Sequence, residues 1–206
     1  MGLDFQHIVI VLANLILAIT VHEFSHAFSA DRLGDPTPRR QGRISLLPPD
    51  HLDPIGTIMM VITTITGFGI GWGKPVMVNP GNFRNPRRDN GVVAIAGPLS
   101  NVVLATLFAL VLRFGVVSTE SMLGAFLLAG VLVNLSLFVF NLLPISPLDG
   151  SSVLTALLPH DLAMRYRGWM QAYGPLVFLA LVLLFPRVLG MVIGPPVDAM
   201  MRLLLT

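Results

Sequence analysis

An uncharged apolar run, residues 8–21, leads without a break into the motif His22-Glu23-Phe24-Ser25-His26. Ionisable side chains inside an apolar helix are costly, and by default they indicate function. Residues four apart lie on one face of a helix, about 6 Å apart along its axis. Both histidines can therefore bind one zinc ion, with Glu23 beside them as a general base. The bare pattern also arises by chance, but this context favours metal-assisted hydrolysis within a bilayer.

The composition agrees with a membrane protein. Of the 206 residues, 54% are hydrophobic and 12% are charged, whereas soluble domains have about 25% charged residues. The chain contains no cysteine, so disulfides and thiolate metal sites are excluded, and zinc must be held by His, Asp or Glu. We expect one integral membrane domain over residues 1–206, in contact with the lipid bilayer, and no nucleic-acid partner.

The apolar segments predict an all-α polytopic membrane protein. About 20 apolar residues span a bilayer as a helix, and three segments, A, C and D, meet that requirement. We expect a catalytic core over about 7–158 and C-terminal helices over about 174–206. The C-terminal part is compatible with one kinked span, two spans, or one span and an interfacial helix. The segments are A (7–30), B (54–71), C (92–112), D (122–143), E (175–185) and the tail (188–206).

Asp149 is the candidate for a third zinc ligand, because a catalytic zinc usually has three protein ligands and a water. It follows segment D in the sequence Pro147-Leu148-Asp149-Gly150. The alternative is that Asp149 only caps a following helix over 150–158, as such residues often do. If Asp149 is a ligand, the carboxyl ends of A and D lie on the same side, which requires that segment B does not cross.

The distribution of basic residues supports the same topology. If B is re-entrant, residues 31–91 lie on one side with eight Lys and Arg residues, and the C–D loop holds only Arg113. This asymmetry predicts that the active-site end faces the cytoplasm and the N-terminus lies outside the cell membrane. The Gly-rich segment, residues 69–78, is then an extended or looped element, tolerated at membrane depth where it is buried or lines water.

Three further polar residues are candidates for other roles. Asn141, in the last turn of segment D, either holds a substrate backbone or stabilises an oxyanion, or makes an interhelical hydrogen bond. His51 is either an auxiliary group of the site or, more often in such sequences, a histidine of a surface loop. Asn101 is typical of helix packing, and Gly97 near it allows helices to approach closely.

These motifs together resemble the site-2 protease family of intramembrane zinc metalloproteases, in its compact bacterial branch without a PDZ domain. The resemblance covers about residues 7–175. Besides the motif at 22–26, it is carried by Ala96-Gly97-Pro98-Leu99-Ser100-Asn101 and by 141–150 (NLLPISPLDG). Further matches are Gly34-Asp35, Gly42-Arg43-Ile44-Ser45-Leu46, 51–57 (HLDPIGT) and 71–76 (GWGKPV).

The resemblance implies one Zn²⁺ per chain held by His22, His26 and Asp149, with Glu23 as the catalytic residue. It implies that Asn141 helps to hold the substrate. It further implies that the Gly-rich segment around Gly71, Trp72 and Gly73 is a re-entrant β-loop that presents an extended substrate. The substrates would be transmembrane segments of other proteins, such as anti-sigma factors, cut in regulated intramembrane proteolysis.

Two other classes of function compete with an intramembrane endopeptidase. One is a metal-binding membrane protein without catalysis, a carrier or a scaffold, which has no need of a carboxylate at Glu23. The other is a zinc hydrolase for a lipid or a small amide, which the extended Gly-rich segment disfavours.

Overall fold

The computed structural model describes residues 5–67 and 69–206; the first four residues, and with them the predicted position of the N-terminus, lie outside these ranges, as does Phe68 in segment B. The described residues form eight α-helices and no β-strand. The helices are α1 (Phe5–Arg32), α2 (Thr37–Arg40), α3 (Pro54–Thr66), α4 (Pro86–Arg113), α5 (Met122–Asn141), α6 (Asp149–Leu157), α7 (His160–Leu184) and α8 (Pro186–Leu205). This confirms the all-α class.

Five of the described helices, α1, α4, α5, α7 and α8, are long and apolar enough to cross a membrane. Helix α3 is not among them, because its 13 residues rise only about 20 Å, against about 30 Å of hydrocarbon. Its ends are fixed locally. The Asp53 carboxylate accepts a hydrogen bond from the Gly56 amide at 2.7 Å, and Gly67 stops the helix in the left-handed conformation.

The three-helix core predicted from segments A, C and D is present as α1, α4 and α5, which pack against one another. Buried asparagines join them. The Asn14 amide donates to the Phe126 carbonyl at 3.1 Å, and the Asn101 amide donates to Asn134 Oδ1 at 2.9 Å and to the Ala18 carbonyl at 3.3 Å. A hydrogen bond between helices satisfies polar groups that an apolar surrounding would leave unpaired.

The C-terminal region differs from the expected bounds. Helix α7 begins at His160, and Pro175, the expected start of segment E, lies inside it. The apolar pattern missed the charged first turns, which extend beyond the apolar part of the helix. The tail is a separate helix, α8, despite Pro195 and Pro196. It packs its Val197 into a cluster of buried apolar residues from α4 and α5.

Candidate metal centre

Helix α1 and the first residue of α6 bring three metal-ligating side chains together. The Nε2 atoms of His22 and His26 are 3.0 Å apart. Asp149 Oδ2 lies 3.1 Å from the Nε2 of His22 and 3.4 Å from that of His26. The carboxylate of Asp149 thus points at the two rings, and it makes no hydrogen bond that caps α6 within the described residues.

Hydrogen bonds on the far side of each ring determine which nitrogen carries the proton. His22 Nδ1 lies 2.7 Å from Asn101 Oδ1, and His26 Nδ1 lies 2.7 Å from the Val93 carbonyl oxygen. A carbonyl only accepts, and the Asn101 amide group is already used as a donor toward Ala18 and Asn134. Both Nδ1 atoms therefore donate, which leaves a lone pair on each Nε2 atom.

Three acceptors thus converge on one point: two imidazole lone pairs and a carboxylate oxygen. They repel one another unless a cation lies among them, since a single proton satisfies only one pair. Ligand atoms about 2.0 Å from a tetrahedral zinc lie about 3.3 Å apart, close to the separations of 3.0, 3.1 and 3.4 Å found here. The donor set fits zinc, and it is the one such group among the described residues.

Gly97 of α4 forms the wall of this centre. A Cβ atom built on Gly97 would lie 2.7 Å from His22 Nε2 and closer still to His26 Nε2. Any side chain at this position would occupy the space between the rings and α4. The sequence identified Gly97 as a site of close helix approach, but the surface it approaches is the pair of histidine rings.

Glu23 lies on the same turn of α1 and faces the Gly-rich segment. Its Oε2 atom accepts a hydrogen bond from the Val76 amide at 3.1 Å and lies 3.8 Å from the Arg43 guanidinium. No hydrogen bond to Oε1 is found among the described residues. One oxygen of the carboxylate is thus anchored, and Glu23 lines a cavity beside the metal centre.

Arg43 holds the Gly-rich segment against α1. Its side chain is 3% exposed, and it donates to the backbone carbonyls of Lys74 and Pro75, at 3.1 Å to the latter. From the sequence, Arg43 was only one of the basic residues on the predicted cytoplasmic side. Its place in the Gly42–Leu46 match to the family was the one sign of a more specific role.

Asp35 anchors the far end of the same segment. Its buried carboxylate accepts from the amide of Asn79 and from the side chain of Asn82, both at 2.7 Å, and from Thr37. Burial raises the pKa of Asp35, but the hydrogen bonds from Thr37, Asn79 and Asn82 outweigh it, so the pKa lies below its usual range. Asp35 is therefore a structural carboxylate, separate from the metal centre.

A cavity of about 630 Å³ opens beside the metal centre. Its wall includes the three converging residues, Glu23 and two predicted substrate contacts, Asn141 and the stretch Gly71–Gly73. Much of the remaining wall is apolar, and includes Ile19, Leu137, Phe140 and Phe178. Its size lies in the range of about 300–1,000 Å³ that is usual for ligand pockets.

The expected β-loop is not formed. Residues 71–78 are irregular, with one isolated antiparallel bridge between Gly73 and Leu52. A Cβ atom at Gly73 would lie 2.5 Å from Ile19 Cγ2, so the segment approaches α1 too closely for a second strand to pair on that side.

Asn141 does not make the interhelical hydrogen bond that was one of its two predicted roles. Its amide donates to the Leu137 carbonyl within α5.

His51 is neither on the surface nor on the cavity wall. It is fully buried, its Nε2 contacts the Ser45 carbonyl at 2.7 Å, and its own carbonyl accepts from the Lys74 amide at 2.8 Å. The surface-loop alternative is therefore wrong. These contacts tie the loop before α3 to the Gly-rich segment.

Comparisons with known proteins agree with the chemistry of this site. Residues 115–185 match the model of peptidase family M50. Two relatives named "Putative zinc metalloprotease" are similar over most of their length. YwhC of Bacillus subtilis is 39% identical over 82% of this chain and 77% of its own length. Rip2 of Mycobacterium tuberculosis is 32% identical over 90% of this chain and 71% of its own length. No solved structure matches the chain.

Proposed function

The chain belongs to the site-2 proteases, peptidase family M50, and is a membrane zinc metalloprotease; on this premise we propose that it cuts peptide bonds in or near transmembrane segments of other membrane proteins. The observation that carries the proposal is the convergence of two imidazole nitrogens and a carboxylate within a bundle of apolar helices. We assign regulated intramembrane proteolysis as its cellular role, which is the role that the resemblance to the site-2 proteases implies.

In this proposal, His22, His26 and Asp149 hold the metal. Zinc, when bound, polarises a peptide carbonyl and lowers the pKa of a water to about 7. Glu23 accepts a proton from the attacking water at Oε1, the carboxylate oxygen that no described hydrogen bond holds, and delivers it to the leaving amine. The Val76 amide holds Oε2 and so keeps the carboxylate oriented.

The cavity walls bind the substrate. A helical substrate hides its carbonyls in intrahelical hydrogen bonds, so it must unwind locally before one can reach the centre. Asn141 lines the cavity, and its amide oxygen is left to accept from a substrate backbone, since only its nitrogen bonds to Leu137. The residues Gly71–Gly73 contribute backbone groups on the same wall. Substrates with Gly, Asn or Pro near the cut are therefore preferred.

The deciding experiment measures zinc content and peptide cleavage together. We expect about one zinc per purified wild-type chain and a sharp reduction in Asp149→Ala, because two histidines alone leave the site incomplete. Asp31→Ala is the matched control, since this carboxylate pairs with Arg39 at 2.6 Å, away from the centre. Full zinc retention in Asp149→Ala would show that the third ligand lies elsewhere.

Glu23→Gln separates a protease from a metal carrier or scaffold. The variant should retain zinc and lose cleavage of a transmembrane peptide by about 10²–10⁴-fold, the range of general-base catalysis. The carrier or scaffold would be favoured if the wild-type protein bound zinc but cleaved no transmembrane peptide, either with or without Gly or Asn in the peptide. Equal cleavage after replacing those residues with Leu would contradict the unwinding step.

A further inference from the structure

A second cavity of about 540 Å³ adjoins the catalytic cavity. It lies between the end of the Gly-rich segment, the start of α4, α6 and the start of α7. Three residues, Val78, Asn90 and Ser152, line both cavities. The two cavities are therefore neighbours, and we call this second space the flank cavity.

The flank cavity differs from the catalytic cavity in charge. Arg87 and Arg167 line it from opposite helices, α4 and α7, with His160 nearby, and no carboxylate belongs to its described wall. Neither guanidinium has an ion pair or hydrogen bond with any residue that the structure describes. Two unpaired cations facing one polar space favour a bound anion.

The two cavities together match the course of a substrate that leaves the membrane. The catalytic cavity has apolar walls from α1, α5 and α7, whereas the flank cavity adds hydroxyl and amide groups, among them Ser151, Thr155 and Gln171. A transmembrane segment changes in the same order, from apolar residues to a polar flank. We propose that the flank cavity binds the polar flank of the substrate and selects acidic residues there, through Arg87 and Arg167.

This inference rests on the proposed function, because it takes a peptide as the ligand. Guanidinium groups also bind the phosphate of anionic lipids, which would give the cavity a different occupant. The position beside the catalytic cavity favours the peptide, because the flank of a substrate bound at the metal centre would lie next to the shared residues Val78, Asn90 and Ser152, whereas a lipid headgroup has no such constraint.

The test uses three synthetic transmembrane peptides that differ only in the flank on the metal-centre side, with two Asp, two Asn or two Lys residues. In phosphatidylcholine vesicles, zinc-loaded wild-type protein should cleave the Asp peptide with a kcat/KM roughly tenfold above the Lys peptide. This preference should weaken as salt is added, because partly exposed charge pairs are screened. The double variant Arg87→Glu/Arg167→Glu should reverse the order of the peptides.

The double variant Arg88→Glu/Arg165→Glu is the matched control. Both arginines are exposed neighbours of the cavity residues, but neither lines the cavity, and the change in net charge is the same. The control should keep the wild-type order. An equal shift in both double variants, or no preference in the wild type, would overturn the proposal. Vesicles with phosphatidylglycerol test the lipid alternative, which predicts a rate change shared by all three peptides and dependent on Arg87 and Arg167.

Binding of the same peptides to Glu23→Gln protein gives a readout that needs no cleavage. The flank cavity is supported if this protein binds the Asp peptide most tightly and loses that preference when Arg87→Glu and Arg167→Glu are added. This result would hold even if the wild type cleaved nothing and the proposed function failed. Cleavage by the wild type without any dependence on the flank leaves the proposed function standing and overturns this inference.

Discussion

At the scale of single residues, the metal centre depends on a position without a side chain. Gly97 faces the Nε2 atoms of both histidines, and a methyl group there would lie 2.7 Å from the nearer atom of His22 and closer to His26. Because carbon and nitrogen atoms do not approach so closely, the rings would have to turn away from each other. The two nitrogens would then no longer share one ion.

We therefore expect Gly97→Ala to bind zinc at least tenfold more weakly than the wild type while remaining folded and helical. The measurement is a zinc titration of the purified protein against a competing chelator, with circular dichroism as a check of helix content. Gly168→Ala is the control, because nothing lies within 4 Å of a Cβ at that helical position. Unchanged affinity in Gly97→Ala would show that α4 moves away at little cost.

The sequence predicted that the candidate ligands His22 and His26 lie together, but it did not predict the hydrogen bonds that orient their rings. The spacing of His22 and His26 defines a shared face of a helix from local geometry alone, so no knowledge of the fold was needed. The acceptor for His22 is Asn101, 79 residues away. Its role depends on how α4 is rotated against α1, which periodicity does not determine, and sequence analysis assigned it to helix packing. It does both, since its amide nitrogen also bonds to Asn134.

At the scale of elements, the Gly-rich segment is held to α1 by side chains instead of a β-ladder. Glu23 accepts from Val76, Arg43 donates to Lys74 and Pro75, and Asp35 accepts from Asn79. The anchors are spaced along the segment, so its backbone has little freedom beside the cavity. The Gly-rich sequence predicts an extended or looped piece here, and the resemblance to the family implies a β-loop. Neither shows that buried charged side chains replace the partner strand.

Arg43 is the anchor nearest to Glu23, the proposed general base. A lysine at this position presents one point charge and cannot hold two carbonyls in the fixed geometry of a guanidinium. We expect Arg43→Lys to retain zinc and to lower kcat for peptide cleavage about tenfold or more, because the segment and Glu23 are less well oriented. Arg40→Lys, at an exposed position three residues away whose side chain makes no hydrogen bond or ion pair among the described residues, should behave as wild type. Loss of zinc in Arg43→Lys would instead indicate a collapse of the metal centre.

The anchor that Asp35 provides at the far end of the Gly-rich segment depends on pH. Its pKa is lower in the folded protein than its usual value of about 3.9, so its stabilisation is complete above that value and is lost as the pH falls through the folded pKa. We expect Asp35→Asn to lower the unfolding temperature by several degrees at pH 7, from a loss of about 1–3 kcal/mol. The difference from wild type should begin to shrink below the usual pKa of about 3.9, and it should vanish only below the lower pKa of the folded protein, where both side chains are neutral.

Thermal unfolding in detergent between pH 3 and pH 8 measures this difference. Asp161→Asn is the control, because Asp161 is exposed and has no ion pair among the described residues. A constant difference between Asp35→Asn and wild type across this range would mean that the carboxylate charge contributes nothing to stability.

At the scale of the whole molecule, the five long helices give the chain a definite polarity if each crosses once. With α3 on one side, residues 33–85, α6 and the end of α8 share the side of the metal centre. Eleven of the thirteen Lys and Arg residues then lie on that side, and only Arg113 and Arg187 lie on the other. The asymmetry predicted from the sequence compared residues 31–91 with the C–D loop and left the C-terminal region out. The two C-terminal helices strengthen it, because Arg165, Arg167 and Arg202 fall on the same side.

Such an excess of basic residues is characteristic of cytoplasmic loops, so we expect the metal-centre side to face the cytoplasm. The chain has no cysteine, which makes each introduced cysteine the only thiol. In intact cells, a membrane-impermeant maleimide should label Glu120→Cys and Arg187→Cys, and it should label Arg40→Cys and Arg88→Cys only after the membrane is opened. All four positions are exposed, so labelling of each in detergent is the control.

Opposite accessibility of Arg40→Cys and Arg88→Cys would mean that the chain crosses between them. Residue Asp149 would then be on the wrong side to meet His22 and His26, and the metal centre assigned here would be incorrect.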